Sequence, residues 1–313
     1  MKPLWDLTRK RVLVIGAKGL VGSALLRRLE RENCDVIAST RNDTDLTDTN
    51  ATTELIKRTK PDCIILAAAK VGGILANRDH PVSFLQENLL IQLNVARAAH
   101  KFNVERLLLL GSSCIYPRLA AQPISERSLL TGPLEATNDA YALAKIAGVR
   151  LMDAYRQQYG RHWISAMPTN LYGPNDNFDL RTSHVLPALL RKFHEAKTND
   201  FDSVEIWGTG TARREFLHVD DCADALIYLL MHYDNIGPIN VGSGKDLEIN
   251  DLAKMIAELT GFSGVIKHDH SKPDGTPEKR LDISRLMKLG WAPKIQLMRG
   301  ISDTYKWYLG SIE

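Results

Sequence analysis

The chain has 313 residues, of which 44% are hydrophobic, so it holds enough apolar material for one large domain or two joined domains. Its formal charge of +3 is small, and its basic residues are spread along the sequence, so we expect neither a nucleic acid nor a membrane as partner. The N-terminal segment MKPLWDLTRK lacks the apolar core of a signal peptide, and no transmembrane-length apolar run follows. These features predict a cytoplasmic enzyme or binding protein.

The first half of the chain alternates short apolar strands with helices. The predicted strands are RVLVIG, DVIAST, CIILAAA and RLLLLGSS. Helices are predicted from about Gly19 to Arg31, from Pro81 to about His100, and from about Asn138 to Tyr159. Continuous apolar strands between helices are typical of a parallel sheet covered on both faces, so we predict an α/β fold with a Rossmann-type doubly wound sheet. Beyond Tyr172 the strand signals become sparse.

The segment VLVIGAKGLVGSAL places Gly16, Gly19 and Gly22 between a predicted strand and a predicted helix. Glycines there permit a tight turn and let the backbone approach a pyrophosphate, whose charge meets the N–H groups of the helix start. Because the turn lies within a repeated strand–helix pattern, we interpret it as a dinucleotide site rather than an ordinary glycine-rich turn.

The end of the second predicted strand, VIASTRND, bears on the choice of cofactor. An acidic residue there hydrogen-bonds the ribose 2′-hydroxyl of NAD, whereas an arginine pairs with the 2′-phosphate of NADP. Arg41 comes first at this end, and Lys18 in the glycine turn adds a positive charge. We therefore predict NADP, although Asp43 and Asp45 keep NAD open and Arg41 could be an idle surface residue.

Four cysteines, Cys34, Cys63, Cys114 and Cys222, lie far apart without C-x-x-C spacing. A chain of this size needs no covalent crosslinks, so we expect neither a disulfide framework nor structural zinc. Cys63 lies in an apolar strand and Cys222 opens an apolar helical pattern, so both are interpreted as buried. Only Cys114 borders a polar loop.

Tyr141 and Lys145 are four residues apart in YALAK and therefore share one helical face. An ammonium near a phenol favours the phenolate, so we expect a lowered pKa for Tyr141, which suits proton exchange with a carbonyl or alcohol. With the glycine turn and the strand end GSS, this order resembles the serine–tyrosine–lysine arrangement of short-chain dehydrogenases and reductases. The resemblance implies that Tyr141 is the proton donor, Lys145 a ribose contact, and Ser112 a hydrogen-bond donor to the substrate oxygen.

Cys114 follows Ser112 by two residues, so an extended chain would direct both side chains into one cavity. A thiolate there can remove a proton from a carbon beside a carbonyl, and inversion needs a second group on the opposite face. His184, near a predicted helix start in RTSHVLPALL, is the best candidate for that acid. A lone cysteine is more often packing and a lone histidine more often structural. No further ligands accompany the pair, so we predict no metal site.

From Arg11 to Trp307 the chain resembles the GDP-L-fucose synthases, which are GDP-4-keto-6-deoxy-D-mannose 3,5-epimerase-4-reductases. The motifs that carry this resemblance are GAKGLVGSAL, AAAKVGGI, LGSSCIYP, YALAKIAG, MPTNLYGPNDNF, SHVLPALLRKFHEA, WGTGTARREFLHVDD, NVGSG, SKPDGTP and LGW. The resemblance implies an extended short-chain reductase fold with a smaller mixed α/β substrate-binding lobe. It also implies NADPH as hydride donor and a homodimer joined through a helix bundle.

By this resemblance, Cys114 is the base and His184 the acid of two epimerisations, after which hydride reaches C4 while Tyr141 protonates the oxygen. The residues implied to bind the cofactor are Gly16, Lys18, Gly19, Leu20, Val21, Gly22, Arg41, Leu110, Gly111, Tyr141, Lys145, Pro168, Asn170, Leu171 and His184. Those implied to bind the GDP portion are Lys192, Trp207, Arg214 and Asp274, with Arg213 as the alternative to Arg214 and a core position as the alternative for Trp207. Glu278 stands where the family often has a basic residue, and it would weaken diphosphate binding if it faced that group.

The resemblance implies two lobes. The cofactor lobe takes residues 1–170 and also residues 215–240, approximately, and the substrate lobe takes residues 171–214 and 241–313.

Three other functions stay open. A nucleotide-sugar 4-epimerase or 4,6-dehydratase would share Tyr141 and Lys145, but the Asp-Glu pair of the dehydratases is absent beside Ser112. A 4-reductase would not need Cys114 or His184, and a non-catalytic NADP-sensing protein would need only the glycine turn. The site residues, not the fold, distinguish these functions.

Overall fold

The computed structural model describes residues 3–272 and 274–312, in which strands and helices alternate. The strands are β1 (Arg11–Ile15), β2 (Asp35–Ser39), β3 (Cys63–Leu66), β4 (Arg106–Leu110), β5 (His162–Pro168), β6 (Asn170–Tyr172), β7 (Ser203–Trp207), β8 (Arg213–His218), β9 (Pro238–Val241), β10 (Asp246–Glu248), β11 (Val265–Asp269) and β12 (Glu278–Lys279). The α-helices are α1 (Leu20–Leu29), α2 (Thr49–Thr59), α3 (Ile74–Asp79), α4 (Pro81–Lys101), α5 (Asp139–Tyr159), α6 (Val185–Thr198), α7 (Val219–His232), α8 (Ile249–Thr260), α9 (Ser284–Lys288) and α10 (Leu297–Ile312). Two 3₁₀ turns lie at Ser113–Ile115 and Glu126–Ser128.

The larger sheet has six parallel strands in the order β2-β1-β3-β4-β5-β9. The chain runs outward from β1 to β2 and then returns to the other side of β1 to form β3. Ligands of doubly wound sheets bind at the carboxyl ends of strands beside such a reversal. The predicted fold class is therefore confirmed, and the glycine turn after β1 lies at the reversal.

Helices cover both faces of this sheet and bury its strands. One face packs against α1 and α7, and the other packs against α2, α4 and α5. Val12 and Val14 face the first layer, whereas Leu13 and Ile15 face the second, and all four are almost fully buried. This explains why the strands have continuous apolar sequences, since successive side chains enter opposite cores.

The three helices predicted in the first half are confirmed as α1, α4 and α5, each within two residues of the expected limits. The part beyond Tyr172 differs from the expectation, because β7 to β12 all lie there. These strands have between two and six residues and pair with distant segments, so they leave little local periodicity.

A second group of strands forms the remaining wall of the site. Strand β8 lies between β10 and β12 and also pairs with β6, while β7 pairs with β11. Helices α6 and α8 bury Leu190, Phe193, Leu252 and Ile256 in a separate core here. In contrast, α7 packs on α1 beneath the larger sheet. This supports the predicted return of residues 215–240, and the lobe limits as a whole remain a proposal.

Cys63 and Cys222 are fully buried in β3 and α7, as predicted, and burial raises the pKa of both thiols. Cys34 and Cys114 are half-buried, and all four thiols are free. Within residues 3–272 and 274–312, no helix combines the length and the apolar character needed to cross a membrane.

Candidate active site

In the glycine turn after β1, backbone segments pack closer together than side chains would allow. Gly16 adopts φ +88, and a side chain there would lie 2.8 Å from the amide nitrogen of Ala68 at the end of β3. A side chain on Gly22 would overlap the Gly16 carbonyl, so α1 can approach the turn only because residue 22 is glycine. Gly19 caps α1 without a side chain, and Leu20 and Val21 form its first turn. This backbone cradle fits the pyrophosphate of a dinucleotide.

At the end of β2, the acidic residues are engaged in their own turns. The Asp43 carboxylate accepts hydrogen bonds from the amide and hydroxyl of Thr40, at 2.8 and 2.7 Å. The Asp45 carboxylate is bound in the same way by Thr47. The Arg41 side chain is 81% exposed, 4.0 Å from Glu87 at its nearest, and Lys18 is also exposed. Two available cations and two engaged carboxylates suit a 2′-phosphate better than a 2′-hydroxyl.

Helix α5 presents Tyr141 and Lys145 on its buried face beside the end of β4. The Lys145 ammonium donates to the Leu110 carbonyl at 2.8 Å and lies 5.8 Å from the centre of the Tyr141 ring. Burial lowers the pKa of Lys145 to about 8. Burial, with the nearby Cys114 charge, raises the pKa of Tyr141, and the hydrogen bond with Ser112 only partly opposes this rise. The expected lowering is therefore not found, and a raised pKa keeps the phenol protonated, as a proton donor requires.

The chain does not stay extended after β4, so that expectation is wrong. Residues Ser113–Ile115 form a 3₁₀ turn, and the Ser112 hydroxyl accepts from the Cys114 amide at 3.2 Å. The turn nevertheless keeps the two side chains together, because a serine that caps a turn accepts from the amide two residues later. Both Ser112 and Cys114 act on the pKa of Tyr141, which places the three residues in one cluster.

The Cys114 sulfur accepts a hydrogen bond from the Lys279 ammonium at 3.2 Å. Burial would raise the pKa of this thiol, but the charge of Lys279, helped by the side chains of Ser112 and Asn138, lowers it below its usual value. Neither Lys279 nor Asn138 was predicted as a site residue. The one signal for Lys279 in the sequence was its place beside Glu278, directly after the motif SKPDGTP.

His184 caps the start of α6, and its loop is tied to the segment before α3. The Gly73 amide donates to the Thr182 carbonyl at 3.0 Å, and a side chain on Gly73 would lie 2.9 Å from the Ser183 carbonyl oxygen. Although His184 is exposed by surface area, the surrounding protein still desolvates its ring, and this effect and the charge of Lys279 lower its pKa. Lys279 therefore influences both predicted acid–base residues of the epimerisations.

Strand β8 directs its two arginines to opposite sides. Arg213 pairs with Asp246 at 2.8 Å, away from the cysteine. Arg214 donates to the carbonyl of Asp274 at 3.1 Å, and the Cys114 charge acts on its pKa, which burial lowers. The Asp274 carboxylate in turn binds the amide and hydroxyl of Thr209, at 2.8 and 3.0 Å. Of the two alternatives, Arg214 is the one on the cysteine side.

Trp207, at the end of β7, is half-buried rather than a core residue. The Lys192 ammonium lies 6.0 Å and the Lys272 ammonium 5.9 Å from its ring centre, and Lys192 donates to the Glu205 carbonyl at 2.8 Å. An aromatic ring with two cations beside it can hold a purine and the phosphates attached to it. Lys272 is an addition to the predicted set.

Glu278 lies on the face of β12 opposite to Lys279. Its carboxylate is 3.8 Å from the guanidinium of Arg280, and its strand position pairs with Arg213. It therefore belongs to the charged cluster around Asp246, on the side away from Cys114.

The other predicted cofactor residues lie at or just beyond the carboxyl ends of β4 and β5. Leu110 ends β4 and Gly111 follows it, Pro168 ends β5, and Asn170 and Leu171 lie in β6, which begins two residues after β5 ends. The side-chain amide of Asn170 donates to the Glu215 carbonyl at 2.8 Å. Across the described part of the chain, no three His, Cys, Asp or Glu side chains are grouped as metal ligands.

The sequence matches a family model over most of its length. The model of the NAD dependent epimerase/dehydratase family matches residues 12–242. The chain belongs to this family. It is also 51% identical to a GDP-L-fucose synthase of Sinorhizobium fredii over 99% of both chains. The predicted resemblance is therefore confirmed.

Two solved structures extend the comparison. A GDP-L-fucose synthetase of Naegleria fowleri bound to NADP superposes with a TM-score of 0.91 at 28% identity, over 99% of this chain and 97% of the other. A GDP-6-OMe-4-keto-L-xylo-heptose reductase of C. jejuni superposes with a TM-score of 0.90 at 36% identity, over 97% and 98% of the two chains. Both structures cover the larger sheet and the second wall of the site.

Proposed function

We propose that this protein converts GDP-4-keto-6-deoxy-D-mannose to GDP-L-fucose, by epimerisation at C3 and C5 and NADPH-dependent reduction of the C4 ketone. The observation that carries the proposal is the cluster of the Cys114 thiol with Ser112 and Tyr141, beside the cofactor turn. Reduction of the ketone requires the hydroxyl groups of Ser112 and Tyr141, but it does not require a thiol of lowered pKa. The similarity to GDP-L-fucose synthases supports the enzyme class, and the NADP-bound relative supports the cofactor.

In the epimerase reaction, Cys114 removes the proton from the carbon next to the ketone. The C–H electrons move to the ketone oxygen as an enolate, and the sulfur gains the proton. His184 then returns a proton to the opposite face of that carbon, which inverts it. Burial and the charge of Lys279 lower the pKa of His184, so the protonated form that this step needs is lost at a lower pH than in an ordinary histidine.

In the reductase reaction, NADPH supplies the hydride when it is bound. Ser112 hydrogen-bonds the C4 oxygen, and Tyr141 gives it a proton, which its raised pKa retains at neutral pH. Lys145 donates to the Leu110 carbonyl, and its remaining N–H groups would hold the ribose of the cofactor. Both reactions use the same ketone, so one cavity serves both.

The GDP portion lies along the second wall in this proposal. Arg214 and Lys192 hold the diphosphate, Trp207 holds the base, and Asp274 accepts from a hydroxyl or amino group. Thr209 donates to the Asp274 carboxylate, and the Asp274 carbonyl accepts from Arg214, so these long-range contacts hold Arg214 in place.

The test is to incubate the purified protein with GDP-4-keto-6-deoxy-D-mannose and NADPH in heavy water and to identify the products by NMR. We expect GDP-L-fucose with deuterium at C3 and C5. Cys114→Ser and His184→Ala should abolish the exchange and leave NADPH bound, whereas Tyr141→Phe should slow NADPH oxidation by a factor of at least about 100. A product reduced at C4 without deuterium would contradict the epimerase half and favour a 4-reductase, the class named for the C. jejuni relative.

A homodimer joined through α4 and α5 remains our proposal for the assembly. Leu93 of α4 and Leu143 of α5 are 43% and 48% exposed, and Gln92 links the two helices by donating to the Ala144 carbonyl at 3.1 Å. Leu143→Glu should shift the mass from dimer to monomer in light scattering, whereas Met287→Glu on α9 should not. The cytoplasmic location stays a prediction that cell fractionation can test.

A further inference from the structure

The Cys114 thiol has a charged neighbour that comes from far along the chain. Lys279 lies in β12, and its ammonium is 3.2 Å from the sulfur. Among the groups that act on this thiol, Lys279 is the one whose charge lowers its pKa most. Arg214 also lies near the cysteine, but its guanidinium donates to the carbonyls of Arg213 and Asp274.

The fold holds the Lys279 backbone from both sides. On one edge β12 pairs with β8, with Lys279 opposite Arg214. On the other edge the side-chain amide of Gln122 donates to the Glu278 carbonyl at 3.0 Å and accepts from the Arg280 amide at 2.9 Å. These contacts hold the backbone on both sides of Lys279. Its side chain lies on the face of β12 opposite to the charged cluster around Asp246. A short strand bound on both edges is a rigid support for a charge.

A buried carboxylate fixes the next part of the strand. Glu215 is fully buried in β8, and its two oxygens accept from the amides of Leu281 and Gly244, both at 2.7 Å. Leu281 is only two residues beyond Lys279. The position of the ammonium is therefore set by buried contacts and not by a flexible loop.

Building on the proposed function, we propose that Lys279 is a positioning residue for the epimerase reaction, whose ammonium, 3.2 Å from the sulfur, stabilises the thiolate form of Cys114. The other charged or titratable groups that face this pair are Tyr141 of α5, Arg214 of β8, and Arg118 and Glu135, which line the small cavity beside the cysteine. Arg118 and Glu135 pair with each other at 3.2 Å, so their charges largely cancel.

The first test needs no substrate. The rate of Cys114 alkylation by iodoacetamide is followed from pH 5 to 10 by mass spectrometry of the peptide that contains Cys114, in a Cys34→Ser background. Lys279→Met should slow alkylation at pH 7 about tenfold and move the midpoint to higher pH, because a thiol that loses a neighbouring cation binds its proton more tightly. Lys279→Arg should restore most of the wild-type profile, and Lys254→Met, on the exposed face of α8, should leave it unchanged. An unchanged profile in Lys279→Met would overturn the inference.

A second measurement separates this role from a structural one. Proton exchange into the substrate should fall in Lys279→Met at pH 7 and recover toward pH 9, where the thiol ionises without help. NADPH binding, measured by fluorescence, should match the wild type and so report an intact fold; if Lys279→Met does not fold, Lys279→Gln is measured instead. Loss of exchange at every pH would mean that Lys279 acts in some other way. A wild-type protein that never exchanges substrate protons would refute the proposed function. The alkylation experiment would still test the effect of Lys279 on the Cys114 thiol independently.

Discussion

The glycine turn after β1 and the strand β12 both serve the site, but they are built in opposite ways. The turn uses residues close in sequence, and its geometry depends on missing side chains at Gly16 and Gly22. Strand β12 uses one side chain, Lys279, held by partners from β8 and from the segment around Gln122. A local motif can be recognised from spacing, whereas the second kind of element exists only once distant segments have paired.

The glycine turn and the region around Cys114 also act by different physical means. Backbone N–H groups at the turn bind phosphate by position, and their charge does not titrate in the physiological range. The Cys114 region works through protonation states, which depend on every charge and on the depth of burial around it. Substitutions in the glycine turn should therefore weaken cofactor binding. Substitutions around Cys114 should instead shift the pH dependence of the reaction or the stability of the protein.

The largest effect is expected at the turn. In Gly22→Ala the added methyl group overlaps the Gly16 carbonyl, so either α1 or the turn must move. A displacement that costs about 3 kcal/mol corresponds to about a 100-fold weaker affinity for NADPH. Fluorescence titration measures it, and Gly310→Ala, at a helix position with open space, is the control. Unchanged affinity in Gly22→Ala would show that the turn adapts.

The second effect concerns the support of β12. Glu215→Gln replaces one buried acceptor by a donor, which then faces the amide of Leu281 or Gly244. An unpaired buried donor costs about 1–3 kcal/mol, so we expect the free energy of unfolding in urea to fall by about 2 kcal/mol. Glu205→Gln, an exposed change on β7, should alter it little. Equal stability of the two variants would contradict the supporting role of Glu215.

The third effect concerns Asp176, in the segment that follows β6. Asp176 accepts from the Asn177 amide at 2.8 Å, and burial raises the pKa of its carboxyl to about 7. Between about pH 4 and 7 the carboxyl ionises in the unfolded chain but not in the folded one, so wild-type stability falls as the pH rises through this range and is constant above it. Asp176→Asn should remove this loss and be more stable than wild type by about 1–3 kcal/mol at pH 8, but not at pH 4. Parallel urea curves at both pH values would refute the raised pKa.

The smallest effect is expected at Glu278, although it directly follows the motif SKPDGTP. Its carboxylate faces Arg280 and the Asp246 cluster, and Lys279 alone points toward the cysteine. Glu278→Gln should therefore change the KM for the GDP-sugar less than about twofold, since an exposed ion pair contributes little. A KM that falls tenfold would mean that the carboxylate does oppose the diphosphate.

The parallel sheet, the helices α1, α4 and α5, the glycine turn and the Tyr141–Lys145 pair could all be predicted from the sequence. Each depends on residues within one or two turns or on continuous apolar runs, which fix the local backbone and its buried face. The family could be recognised for the same reason, because its motifs are short and contiguous. The eight strands from β5 to β12 were not predicted, and the six beyond Tyr172 are short and are stabilised by partners far away in the chain.

The arrangement of charges in the site became visible only in the three-dimensional fold. The sequence led us to expect a lowered pKa for Tyr141, an extended chain at Cys114 and an uncertain direction for Glu278. In the fold, burial raises the pKa of Tyr141, a 3₁₀ turn carries Cys114, and Lys279 reaches the sulfur across more than half the chain. Composition and spacing determine which groups are present and which neighbours share a face. Burial and long-range pairing set the protonation states, because the free energy of a charge depends on everything packed around it.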